Sequence, residues 1–311
     1  MKFAVQHGIG DPAWRPEILD GPNVRSWARA VEDSGWDAIA FTDHPAPSAK
    51  WVHADGEGSS ALFSSLAFCA AVTQRIKLLT WVLVLPFRNP FVSAHEIATL
   101  DRLSSGRLIL GLGTGYLRGE FRAAGRDFAH RLADFDEAIE VLRSSWDAGD
   151  IKHEVAFTGR TFATGGTVAQ PVPVQLPHPP LWIHGNSVWG LERAARYAQG
   201  CLFTLTDEVL SRTIRTAMVP DLAAVRGRLD VLAERLGRRG RALRDMEIAV
   251  AGLWPKLDAR AGWDAGRIRA DVDELERMGV TWVTVVVAGD APAVAERTVR
   301  RFGQEIISAA R

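Results

Sequence analysis

Several things are scarce in this chain, and each scarcity closes a class of function. Two of the 311 residues are cysteine. Cys69 and Cys201 sit in apolar runs with neither CxxC nor metal-type spacing, so they read as reduced core residues of a cytoplasmic protein rather than a disulfide framework. Net charge is absent, with 37 basic side chains against 37 acidic ones, which removes any general pull toward nucleic acid or an anionic membrane. The arginine-dense stretch from Arg226 to Arg244 also carries Asp230, Glu234 and Asp245 and reads as a solvated helix face. No apolar run approaches the roughly 20 residues a membrane helix needs, and MKFAVQHGIGD has no long apolar core of the signal-peptide kind. G-x-G-x-x-G, the Walker loop, the G-x-S-x-G nucleophile turn and His-x-His are all missing. Dinucleotide binding of the Rossmann type, phosphate cradling and serine hydrolysis therefore lack their signatures. His7, His44 and His184 could converge on a metal, but no ligand spacing supports it, and no metal is expected.

Apolar material is plentiful, at 47% of the residues, with eleven tryptophans among them. Eight short apolar runs recur along the chain: Lys2–His7, Ala38–Phe41, Ile76–Leu85, Arg107–Tyr116, Leu181–His184, Cys201–Leu205, Met246–Ala251 and Trp282–Val287. Each is nearly continuous in hydrophobicity, as befits strands buried on both faces of a parallel sheet. Helical patterns separate them. Eight β–α units favour a closed (β/α)8 TIM barrel in one domain, 1–311, over an open doubly wound sheet. The stretch near 150–180, rich in Gly, Thr, Pro and Gln, breaks the rhythm and reads as an extended insertion lying across the barrel mouth. The polar segment from Pro45 to Ser60 is long enough to be a functional loop.

A functional site on such a barrel belongs at the C-terminal strand ends. There the fourth run places Gly111, Gly113 and Gly115 on one face, and Thr114 and Tyr116 beside them. Two readings stay open: a strand thinned at a tight barrel corner, or a face that lets a flat ligand approach the backbone. Asp43-His44 ends the second run and is an acid/base candidate, since a neighbouring carboxylate can fix an imidazole tautomer or raise its pKa. Gly185, Asn186 and Ser187 precede a helix, either as an ordinary cap or as an amide-lined phosphate seat.

Four passages together resemble the luciferase-like flavin and deazaflavin oxidoreductases, nearest to their F420-dependent branch: TDHP at 42–45, LLTWVLVLPFRNP at 78–90, ATLDRLSSGRLILGLGTGY at 98–116 and QPVPVQLPHPPLWIHGNS at 170–187. The resemblance implies a TIM-barrel oxidoreductase that transfers hydride between coenzyme F420 and an organic small molecule. FMN with a monooxygenase activity is the alternative, and a non-catalytic flavin-binding barrel a further one. It implies a ring against a bulge in the third strand with a cis peptide at Trp81–Val82. It further implies contacts to the cofactor from Asp43, Thr114 and Gly115, and a phosphate held by Gly185, Asn186, Ser187 and Trp189. His44 would be the proton donor or acceptor, with Tyr116 a proton donor or a pocket wall. Tyr116 stands where sugar-phosphate-oxidising relatives have a carboxylate, and Ser48 where they have a tryptophan, with Trp51 nearby. These departures argue against a sugar-phosphate substrate. Pairing of barrels into a homodimer is also implied.

Overall fold

The computed structural model describes residues 1–54, 56–146, 152 and 154–309. Ten strands form: β1 Lys2–Gln6, β2 Ala38–Phe41, β3 Lys77–Val84, β4 Leu108–Gly113, β5 Glu154–Thr158, β6 Ala163–Val168, β7 Leu181–His184, β8 Gly200–Thr204, β9 Glu247–Ala251 and β10 Trp282–Val286. Eight of them close a parallel barrel in the order β1-β10-β9-β8-β7-β4-β3-β2. The last strand pairs with the first from Lys2–Trp282 to Gln6–Val286. The expected eight strands are therefore present, and the (β/α)8 barrel holds.

Helices α1 Gly21–Asp33, α3 Leu62–Val72, α4 Pro90–Leu103, α6 Arg131–Trp146, α7 Val188–Tyr197, α9 Leu222–Gly237, α10 Ala265–Arg277 and α11 Pro292–Phe302 surround the barrel, with α2 Ala49–His53, α5 Arg118–Ala123 and α8 Glu208–Thr213 in loops beyond strand ends. Their local sequences explain them. Val24, Trp27, Ala28 and Val31 recur at helical spacing and are buried, giving α1 one apolar face against the sheet. Asn89 accepts a hydrogen bond from the Phe91 amide ahead of α4, and Pro90 occupies the first turn, where no amide is needed. Among the described residues no helix is long and apolar enough to cross a membrane.

The barrel lumen is lined by small side chains, Ala4, Ala38, Ala40 and Ala249, with Leu79, Ile109 and Leu202. Trp182 and Trp282, centroids 5.2 Å apart and edge-on, fill its N-terminal half. A cavity of about 790 Å³ opens at that end, between Lys2, Lys77, Trp182, Glu247 and Trp282. It lies opposite the strand ends where the polar cluster described below is found.

Among the described residues the insertion does not lie across the mouth but packs on α6 and α4. β5 and β6 form an antiparallel hairpin whose turn is tied to the outside of α6. Glu137 accepts the Thr161 and Phe162 amides, and Asp134 accepts the Thr161 hydroxyl. Residues 170–176 then run along α4. His95 Nδ1 meets the Gln170 carbonyl at 2.6 Å, Arg102 donates to the Val172 carbonyl, and buried Asp101 accepts the Val174 and Gln175 amides. A proline-interrupted segment has too few amides for a ladder, and α4 supplies the missing partners. Of the expected insertion, residues 150, 151 and 153 lie outside the described residues.

Candidate active site

The glycine row of β4 faces the lumen, but its space is filled by β3. The pairing of β3 with β4 is regular to Thr80, slips, and resumes at Leu83. The peptide between Trp81 and Val82 is cis. A methyl group on Gly111 would overlap the Thr80 carbonyl oxygen, and one on Gly113 would lie 2.5 Å from Val82 Cγ2. The glycines thus accommodate the bulge in β3, and the bulge, not bare β4 backbone, meets the mouth. Gly115 adopts φ +73° beside Val84 and Phe121, and Thr114 is half-buried.

His44 is the centre of the polar cluster. It is buried at the end of β2. Its Nδ1 lies 3.1 Å from Glu120 Oε2, and the Tyr116 hydroxyl lies 3.1 Å from its Nε2. Glu120 sits in α5, four residues beyond Tyr116, with its carboxylate buried. It also accepts the Ala46 amide at 3.4 Å. With Nδ1–H donating to Glu120, the Nε2 lone pair faces Tyr116, the arrangement by which a carboxylate fixes a tautomer. Burial alone would lower the His44 pKa, but the hydrogen bond and charge of Glu120, with Glu57 and Asp43 adding charge, raise it above the ordinary imidazole value. Burial, reinforced by Glu57 and Glu120, pushes the Tyr116 phenol well above its usual value. Tyr116 is therefore a neutral donor at ordinary pH.

The loop from 45 to 60 closes this cluster. Trp51 lies 5.7 Å from both the His44 and Tyr116 rings, centroid to centroid, and its Nε1 donates to the Glu57 carbonyl. The Glu57 carboxylate, raised in pKa by burial, accepts from Gln6 Nε2 at the limit of 3.5 Å. Ser59 Oγ accepts the His44 amide, and Thr42 donates to the Gly58 carbonyl. Among the described residues the wall over the mouth is this loop, not the segment near 150–180.

Other anticipated residues have internal partners. Asp43 takes a two-toothed ion pair from Arg88, at 2.6 and 2.7 Å, and the Val84 amide at 2.9 Å. It braces the end of β3 just beyond the bulge. Buried Asn186 clamps β7 to β8, donating to the Thr204 carbonyl and accepting the Thr204 amide. Ser187 caps α7 through the Gly190 amide, the Gly185 amide donates to the Leu202 carbonyl, and Trp189 is 68% exposed. Side chains at this turn are thus engaged or outward, leaving helix-start amides as the groups available for an anion. His184 meets the Thr204 hydroxyl at 3.2 Å, and burial lowers its pKa to about 4. His7 points away from the mouth, stacked on Phe41 and edge-on to Trp27, and burial lowers it to about 3. The three histidines do not converge, and among the described residues no group of His, Cys, Asp and Glu could hold a metal.

Sequence reasoning missed Glu120, Glu57 and Arg88. Glu120 has a visible signal, an acid four residues after Tyr116 in a run that becomes a helix. Glu57 and Arg88 are recognisable only once the loop is folded.

Comparison with known proteins matches residues 1–254 to the luciferase-like monooxygenase family. An F420-dependent glucose-6-phosphate dehydrogenase of Gordonia bronchialis is 37% identical over 190 residues, 58% of this chain and 51% of the relative. The match thus spans about half the length of that protein. Among solved structures, the monooxygenase RslO1 from Streptomyces bottropensis is 18% identical with a TM-score of 0.80, covering 100% of both chains. The F420-dependent tetrahydromethanopterin reductase from Methanopyrus kandleri is 17% identical with a TM-score of 0.72, covering 100% of this chain and 99% of its own. The two solved structures share the fold, and the family match extends from β1 through β9, taking in the ends of β2, β3, β4 and β7 that shape the site. The chain belongs to the luciferase-like monooxygenase family.

Proposed function

We propose that the chain is an oxidoreductase that transfers hydride between coenzyme F420 and a small organic substrate, within one domain of residues 1–311. The observation that carries this reading is the Tyr116–His44–Glu120 chain at the barrel mouth, beside the β3 bulge and across from the start of α7. The F420 dependence of the curated relatives supports the choice of cofactor. The residues present fit a flat ring with a phosphate-bearing tail: the Trp81–Val82 bulge and Gly115 offer a backbone surface, and the α7 amides an anion seat. Thr114, next to Gly115 and half-buried, is a further candidate contact. Asp43 and Arg88 hold the bulge in place. When bound, the deazaflavin supplies the hydride acceptor or donor, and the protein supplies position and proton.

His44 is the proton-transfer group. In the oxidising direction its Nε2 takes the substrate hydroxyl proton, directly or through the Tyr116 hydroxyl, while Glu120 stabilises the imidazolium that results. In the reducing direction the proton returns by the same path. Trp51, Tyr116 and the loop around Glu57 exclude water and favour an apolar or aromatic substrate body. A carboxylate and an indole meet His44 here from Glu120 and Trp51, positions other than those that match sugar-phosphate-oxidising relatives, so we assign no sugar phosphate.

Titration with F420 and with FMN, oxidised and reduced, tests the reading. Tight F420 binding with weak FMN binding, and loss of turnover with retained binding in His44→Ala, is the expected result. Preference for reduced FMN followed by oxygen uptake would make the chain a flavin monooxygenase. Binding of a flavin without turnover, unchanged in His44→Ala, would make it a sequestering barrel.

A further inference from the structure

Three guanidinium groups gather on one aromatic ring at the barrel mouth. Arg131 lies 4.0 Å from the Phe128 ring centroid, Arg118 4.6 Å and Arg215 5.7 Å. One phenyl ring attracts a cation modestly, and it does not offset the repulsion among three. That repulsion is felt: burial lowers the Arg131 pKa, and Arg215 and Arg118 lower it further. No carboxylate pairs with any of the three among the described residues. The acids near them are committed elsewhere. Asp127 takes the Ala129 amide and His130; Asp134 takes Arg126 and Arg160; Glu208 pairs with Arg212. Arg131 Nε is buried without a hydrogen-bond partner.

The position of the cluster follows from topology. Arg118 and Phe128 belong to the connection after β4, and Arg215 to the connection after β8. In the barrel β7 lies between β4 and β8, so the two connections meet over the end of β7, where α7 starts. Arg131 is the first residue of α6, and Val188 the first of α7. The two helices run side by side, because Arg193 pairs with Asp136 at 2.6 Å, each the sixth residue of its helix. Their amino ends therefore lie on the same side of the barrel, bridged one turn further in by this ion pair. Two positive helix ends and three unneutralised guanidiniums make one continuous anion field beside the mouth.

We propose that Arg118, Arg131 and Arg215 extend the α7 anion seat into one for the whole acidic tail of the coenzyme, the phosphodiester and carboxylates that follow the deazaflavin ring. The site rests on the F420 reading above and adds a determinant of affinity that lies outside the ring and proton machinery. The shared chemistry is a chain of phosphate and carboxylate groups, and guanidinium forks suit both.

The test uses three probes on the intact chain: F420, its tail-less chromophore FO, and tri-γ-glutamate alone. In the wild type, F420 should bind more tightly than FO and lose affinity with added salt, whereas FO should be nearly insensitive. The triple variant R118Q/R131Q/R215Q should bind F420 roughly 10- to 100-fold more weakly and FO unchanged. The triple lysine variant should keep most of the salt dependence. Thermal melts of each variant confirm folding. If the triple glutamine variant binds F420 as the wild type does, or loses F420 and FO equally, the seat is overturned while the cofactor reading stands. If neither F420 nor FO binds the wild type but tri-γ-glutamate still shifts the arginine Nε resonances, the cofactor reading fails and an anion site remains. No response to any probe overturns both.

Discussion

At the scale of single residues, the site turns on how Glu120 sets His44. The carboxylate holds Nδ1 and raises the imidazole pKa despite burial. If His44 is the base proposed above, oxidation needs it neutral, and activity should rise as it loses its proton, at a pH above the ordinary imidazole value. Glu120→Gln keeps the shape and removes the charge. The limb of the kcat/KM profile should move to lower pH, and the plateau should fall about tenfold or more as the imidazolium loses its support. A profile with the same limb would mean that Glu120 does not face the titrating group. Tyr116→Phe tests the other side of the ring. It removes the hydroxyl at Nε2 and little else, because the aromatic contacts to His44 and Trp51 remain available. As a relay, Tyr116 should cost roughly 10- to 100-fold in kcat when lost; as a wall, it should leave kcat unchanged and move KM. Asp43-His44 marks an acid/base candidate in the sequence, but adjacency in sequence does not give the carboxylate that meets the ring. The carboxylate next in sequence braces Arg88 and Val84, and the one that serves the histidine comes from 76 residues away.

At the scale of elements, the central relation is between β4 and the bulge of β3. Gly113→Ala would set a methyl against Val82 Cγ2, and a β-branched side chain in a packed lumen has few rotamers to retreat to. Overpacking of this kind costs about 1–3 kcal/mol. Val82→Ala removes the opposing methyls, so the double variant should recover much of the loss, a coupling readable by a denaturant double-mutant cycle. Additive effects would place the strain elsewhere. The 170–176 segment offers a second case. Asp101 is fully buried and accepts two backbone amides and the Gln175 side chain. Asp101→Ala would leave those donors unpaired and should destabilise by about 2–4 kcal/mol, with faster amide exchange at Val174 and Gln175. Proline content announced an extended segment correctly. It carried no information on which surface would pair with that segment, because the partners lie in α4, some 70 residues earlier in the chain.

At the scale of the whole molecule, the barrel was legible because strands buried on both faces need continuous apolar runs, and eight such runs alternating with helical patterns leave few topologies. The site was legible in part, for strand ends are fixed by those runs, while the loops that reach over them are not. The same burial that made the strands readable sets the response of the fold to acid. His7 and His184 are neutral in the folded barrel, with pKa values lowered to about 3 and about 4, and would each take a proton in the unfolded chain below the ordinary value of 6.5. Their contribution to stability is therefore complete above that pH and is lost as pH falls, at about 1.4 kcal/mol per pH unit for each histidine until the folded value is reached. His44 runs the other way. Its folded pKa is raised, so its contribution is complete below the unfolded value and fades as pH rises through the folded one. Urea unfolding between pH 6.5 and 4.5 should show the acid-side slope, and His7→Gln should flatten it by about one histidine's worth. An unaltered slope in that variant would mean that His7 is already charged, or reached by water, inside the fold.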